Sequence, residues 1–292
     1  MHRAAPLVFA LAALLATPAV AGTVKGGVTV DGVAPIVPTR VCALMVRDIY
    51  DARNDEIVVV MTKKPLDALK VASSLDPASE LGLQEAVSKD DHVLVYLSQD
   101  GGISFNASHG DGTTSYVNST VMGDIRAEMT AKTATRVAGR VFMPTPEKLL
   151  DGRSMKLDVT FDTEIVRPPA GSPLPAGGGE PGKALLGLLG AVAKKNWAGV
   201  QAGVTPALRK DLTRSSSTTE KEYLDDAAQH FKVTLPPKGL AITRGTLRTD
   251  EAVLEIEGEQ RPGSDWVYFA RMVKGGGGWL LDRSYPVGQI AK

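Results

Sequence analysis

The chain has 292 residues, of which 43% are hydrophobic and 23% charged, with 33 Lys and Arg against 33 Asp and Glu. That balance suits a folded chain of roughly two domains rather than a disordered one. Zero net charge offers no overall electrostatic case for nucleic acid or an anionic membrane, and the single cysteine, Cys42, excludes an internal disulfide and a thiolate-rich metal site.

Residues 1–21 read as a bacterial-type signal peptide. Arg3 supplies the positive start, residues 6–16 are almost unbroken apolar chain, and Ala19-Val20-Ala21 forms a small-x-small cleavage site. The apolar run is shorter than the roughly 20 residues that a membrane-spanning helix needs. Export to the periplasm or the medium is the expectation, with no stable membrane insertion once the leader is cut. Asn106 and Asn118 begin N-x-Ser/Thr triplets, which in a bacterial protein are chance matches.

Residues 22–166 read mostly as strands. Val24, Val28 and Val30 recur at even spacing before an Asp31-Gly32 turn. Residues 57–61 and 92–97 are continuous apolar runs suited to buried strands, and Gln99 to Gly102 turns the second into a hairpin. Residues 77–88 read as a short helix. Met155, Leu157, Val159 and Phe161 alternate with Lys156, Asp158, Thr160 and Asp162, the period-2 pattern of a half-buried strand. Many strands between Gly, Asp and Asn turns predict an N-terminal β-sandwich.

Residues 167–182 are rich in Pro and Gly, with Leu174 their only large apolar side chain, and read as a flexible linker. From residue 183 the period changes. Leu185, Leu188, Leu189 and Val192 form a helical stripe whose end Trp197 closes. Thr205-Pro206 opens a second helix, and Thr219 with Glu222 makes a capping box for a third, which carries Tyr223, Leu224, Ala227 and Phe231. Four strands follow, near residues 240–247, 252–259, 266–273 and 279–283, joined by short polar or Gly-rich turns.

Helices followed by a four-stranded meander resemble the nuclear-transport-factor-2-like, cystatin-related cone fold. Two segments carry the local likeness: residues 192–200, similar to the end of that family's first helix, and residues 263–284, similar to its closing hairpin. The resemblance covers residues 183–292 and is closest to exported members without a known activity. It implies a sheet curled around helices, often with a pocket at the mouth, and in some members a dimer formed through the sheet. The fold class expected is thus mainly β plus α+β: a β-sandwich, a Pro/Gly linker and a C-terminal cone.

Chemistry is sparse. The histidines after the leader are His92, His109 and His230, with no spacing that supports a metal, so neither metal nor cofactor is expected. His92 opens a strand and reads as an edge residue. Cys42 lies in an apolar strand and reads as core. No Gly-x-Ser-x-Gly elbow, Ser-x-x-Lys pair or phosphate loop occurs. The catalytic candidates are Asp226 and His230, four apart on one helix face, and Asp282, since a buried carboxylate or His can move protons. Tyr223, Trp266 and Tyr268 could line a ligand pocket or fill the core. Glu255, Glu257 and Glu259 read as one solvated strand face. The function these readings favour is a non-catalytic, exported protein that binds a small ligand or an envelope protein. The alternatives are acid–base isomerisation or hydrolysis in the C-terminal pocket, or a structural or inhibitory role for the N-terminal strands.

Overall fold

The computed structural model describes residues 22–291, apart from 49–50, 76, 78–79, 112–114, 120–122 and 214–218. The leader read at residues 1–21 lies outside the described residues. In chain order, the first half contains β1 (Thr23–Val30), β2 (Arg40–Arg47), β3 (Asp55–Thr62), α1 (Ala68–Ala72), a π-helical turn at Glu80–Gln84, α2 (Glu85–Val87) and β4 (His92–Leu97). It continues with β5 (Ile103–Ser108), β6 (Ser115–Ser119), β7 (Arg126–Lys132), β8 (Arg136–Phe142), β9 (Glu147–Lys148) and β10 (Ser154–Val166).

These strands form one ten-stranded sheet that curls, and the long strand β10 is what curls it. Along most of its length β10 pairs antiparallel with β1 and β8, and its last two residues pair parallel with β2, Ile165 opposite Ala43. The order β6-β5-β4-β3-β2-β10-β8-β7 follows. Val59, Val95 and Phe105 from one arm meet Leu157, Val159 and Phe161 near the other in a single core. Burying each such side chain contributes about 1.5–3 kcal/mol. The alternation read in residues 155–162 is realised, with every second residue of β10 buried.

The continuous apolar runs have a different cause. Strands β2, β3 and β4 are buried on both faces, because Val71, Ala72, Leu83 and Val87 pack Leu44, Val58, Val60 and Leu94 on the side away from the core. The helix read across residues 77–88 is thus a π-helical turn running into α2, and α1 joins the same layer. His92 is buried as β4 begins, flanked by β3 and β5, and so is no edge residue.

The second half contains β11 (Ser172–Pro173), a 3₁₀ turn at Ala176–Gly178, α3 (Gly179–Ala193), α4 (Trp197–Gly203), α5 (Pro206–Leu212) and α6 (Glu220–Thr234). The strands β12 (Lys238–Arg248), β13 (Glu251–Arg261), β14 (Ser264–Gly275) and β15 (Gly278–Gln289) complete it. They form a separate sheet in the order β11-β12-β13-β14-β15. Leu185, Leu188, Trp197, Val200, Leu224 and Phe231 pack against its inner face, on Leu254, Ile256, Tyr268 and Leu281. The capping box at Thr219 and Glu222 forms as read, and the Thr205 side chain accepts from the Leu208 amide at 3.2 Å to cap α5. Trp197, read as closing the end of the first helical stripe, packs in one core with Leu185 and Leu188 and opens α4 after an Asn196 cap.

The stretch read as a flexible linker is a correction. Ser172 and Pro173 pair with Leu247 and Thr246, and Leu174 packs on the second core. The glycines serve backbone geometry: Gly177, Gly178 and Gly179 take φ of 76°, 76° and 57°, and a Cβ on Gly182 would lie 1.9 Å from the Gly177 carbonyl oxygen. A sequence too poor in apolar side chains for its own core is here pinned to a neighbouring sheet.

The two halves touch through the β2–β3 hairpin. Ala52 at its tip is fully buried against Val267 and Ile290 on the outer face of the second sheet, and its amide donates to the Gln289 carbonyl at 3.0 Å. Arg47 meets Glu255 at 2.6 Å and Arg53 meets Glu257 at 2.6 Å. Glu255 and Glu257 of the glutamate row therefore face the first half of the chain rather than open solvent, and Glu255 is 6% exposed, while Glu259 accepts from the Gly263 amide in its own hairpin. The part of the sheet face considered for a homodimer contact is covered by the chain's own hairpin.

Candidate functional site

A cleft lies between α1 with its following residues and the second sheet. It holds two adjoining cavities of about 480 and 500 Å³, both lined by Ser74, Leu75 and Arg248. Each wall has a local origin. Asp67 caps α1 by accepting from the Lys70 amide, while Val71 and Ala72 anchor the helix on the first sheet, so Lys70, Ser73 and Ser74 face outward. The opposite wall comes from strand register. Arg248 and Glu251 flank the tight Thr249-Asp250 turn, and Arg271 of β14 stands directly opposite Arg283 of β15. The register shifts next to that pair, so Asp282 falls in the irregularity and reaches the same wall.

The polar groups of the first cavity form an alternating array. Glu251 lies 3.6 Å from Arg248 and 3.0 Å from Arg271, and Asp282 lies 3.8 Å from the Arg271 Nε. Asp282 also accepts from the Thr205 hydroxyl at 3.2 Å. The Nε atoms of Arg248 and Arg271 are buried and make no hydrogen bond to the described residues. In the second cavity Glu255 accepts from Arg47 at 2.6 Å and from Arg244 at 2.7 Å, and the Arg47 guanidinium lies 5.7 Å from the Phe269 ring centre.

Of the catalytic and ligand-binding candidates read from the sequence, only Asp282 lines this cleft. Tyr223 stacks on Trp197 at 5.4 Å, and Trp266 packs on the second core while donating to the Ser264 hydroxyl at 3.0 Å. Tyr268 is fully buried. Burial pushes the His230 pKa below its ordinary value, and the carboxylate that opposes this shift is Asp211, not Asp226. Asp226 is half-buried on the same helix. Burial also pushes the Cys42 thiol up to about 12, which removes it as a nucleophile at neutral pH. His109 Nδ1 lies 3.4 Å from Asp91, and no group of three or more potential metal ligands occurs among the described residues. No helix among them is long and apolar enough to cross a membrane.

The Tyr268 hydroxyl is buried without a hydrogen-bond partner among the described residues, and its pKa is pushed up to about 12. A buried, unpaired hydroxyl costs about 1–3 kcal/mol of desolvation. Tyr268→Phe should accordingly raise stability by roughly 1 kcal/mol in urea denaturation. A loss instead would mean that the hydroxyl is held by a bound group.

The cleft residues that sequence reasoning missed are Lys70, Arg248, Glu251, Arg271 and Arg283. The one local signal is that Glu251 and Arg271 occupy outward strand positions beside inward Ala252 and Met272. Comparison with family models, curated proteins and solved structures finds no match for the chain.

Proposed function

We propose that this chain is an exported, non-catalytic binding protein in which a β-sandwich and a nuclear-transport-factor-2-like cone hold a small molecule in the cleft between them. The adjoining cavities carry this reading. Pockets of about 300–1,000 Å³ that sit between domains and combine apolar walls with a few polar groups are the usual form of a small-molecule site. The space between the helices and the second sheet is filled by Leu185, Val200, Phe231 and Tyr268, which favours the cleft over the mouth of the cone as the binding place. Asp282 lines the cleft whereas Asp226 and His230, one turn apart on α6, do not, which favours binding over proton transfer there, because acid–base work needs its groups around one reacting atom.

Native mass spectrometry of the chain purified from an exporting host tests the proposal. A reproducible extra mass is expected, and Ser74→Trp, which fills the boundary between the two cavities, should remove it. Retention of that mass by the folded Ser74→Trp variant would place the ligand elsewhere and overturn the reading.

A further inference from the structure

We infer that the ligand is an organic anion whose carboxylate or phosphate head is held by Arg248, Arg271 and Arg283, with Lys70 closing over it from α1. This deepens the cleft reading above and rests on it.

Charge is the first support. The whole chain is neutral, yet the 480 Å³ cavity is lined by four cationic side chains, Lys70, Arg248, Arg271 and Arg283, and by two carboxylates, Glu251 and Asp282. Arg248 and Arg271 share Glu251, and Asp282 stands near Arg271 alone. Lys70 and Arg283 have no ion pair among the described residues, so the wall retains uncompensated positive charge. A cleft with low-dielectric walls concentrates such a field on an anion.

Register is the second support. Cross-strand pairing sets Arg271 directly opposite Arg283, and like charges at such positions are unfavourable. An oxyanion between them turns that repulsion into two attractions. Geometry is the third. Arg248, Arg271 and Arg283 converge on one cavity from three strands, and each guanidinium presents five donors in a fork suited to a carboxylate or phosphate. Beside the cations, Leu75, Pro169 and Tyr285 give the cavity an apolar wall. That wall suits an organic body rather than a bare inorganic ion.

Isothermal titration calorimetry on the full exported chain separates head from body. The probes are inorganic phosphate, phenyl phosphate, benzoate and the neutral benzamide. Phenyl phosphate or benzoate should bind most tightly, inorganic phosphate more weakly, and benzamide not detectably. The better of the two aromatic anions identifies the head group. Arg283→Gln, which removes an exposed side chain without an ion pair, should weaken the aromatic anion roughly tenfold or more. Lys70→Gln should weaken it by a smaller factor. Equal binding of benzamide and benzoate, lost in Ser74→Trp, would overturn the anion assignment and leave the cleft reading standing. Anion binding unchanged in Arg283→Gln, Lys70→Gln and Ser74→Trp would overturn the cleft as well.

Discussion

Replacing Glu255 by alanine is expected to cost about 3 kcal/mol and to split thermal unfolding into two transitions. Glu255 is 6% exposed and accepts from Arg47 at 2.6 Å and from Arg244 at 2.7 Å. Breaking a buried ion pair by removing one partner costs about 3–5 kcal/mol, since the other charge stays desolvated. The low end applies because Arg47 keeps Asp55 at 3.1 Å and the Arg244 side chain is 59% exposed, so water can rehydrate it. The wider effect follows from position. Two separate cores are joined through a small apolar contact, Ala52 on Val267 and Ile290, and the Arg47–Glu255 pair beside it. With the pair intact, the halves should melt together in calorimetry; without it, the contact around Ala52 and the more exposed Arg53–Glu257 pair are too weak to couple them. Glu257→Ala is the control, because its partner Arg53 is mostly exposed and the transition should stay single. One unchanged transition in Glu255→Ala would show that the halves are coupled elsewhere.

The sequence announces those parts of the structure whose cause is local. The alternation of β10, the capping box of α6 and the four strands of the second sheet each follow from side chains within a dozen residues. The features it conceals depend on distant partners. Residues 167–182 look like a tether because nothing among them can build a core, yet β12 supplies the pairing and the glycines supply the turns. Glu255 looks solvated because outward glutamates on a strand usually are, and only the hairpin more than 200 positions earlier in the chain makes it buried. The cleft is concealed for the same reason. Lys70, Arg248, Arg271 and Arg283 come from one helix and three strands, and each alone is an ordinary surface cation. The aromatic residues Tyr223, Trp266 and Tyr268 drew attention by their size, and size is what the second core uses.

Glu56→Gln should stabilise the protein at pH 8 while leaving it nearly unchanged at pH 4. Glu56 is 5% exposed on β3, and its pKa is raised from 4.5 to about 7 by burial first, then by the Asp48 charge, with the Asp100 charge adding less; the Ser98 hydroxyl opposes the rise. The folded chain therefore holds this proton more tightly than the unfolded chain does. Between the two values the native state binds more protons, so stability is complete below about 4.5, falls as pH rises toward 7, and levels off above that. The loss is on the order of 3 kcal/mol. Glutamine keeps an oxygen for the Ser98 hydroxyl and carries no charge to desolvate, so the variant should lack this slope. Urea denaturation at pH 4 and pH 8 reads the difference, and parallel pH dependence in both proteins would exclude Glu56 as its source. The position gives the titration a structural consequence. The Asp48 amide donates to the Asn54 carbonyl at 3.1 Å, closing the hairpin that carries Ala52 onto the second sheet, and Asp48 itself is buried. Ionising Glu56 places a second negative charge near Asp48 at the root of that hairpin. Raising the pH through about 7 should accordingly loosen the contact between the halves before either core melts.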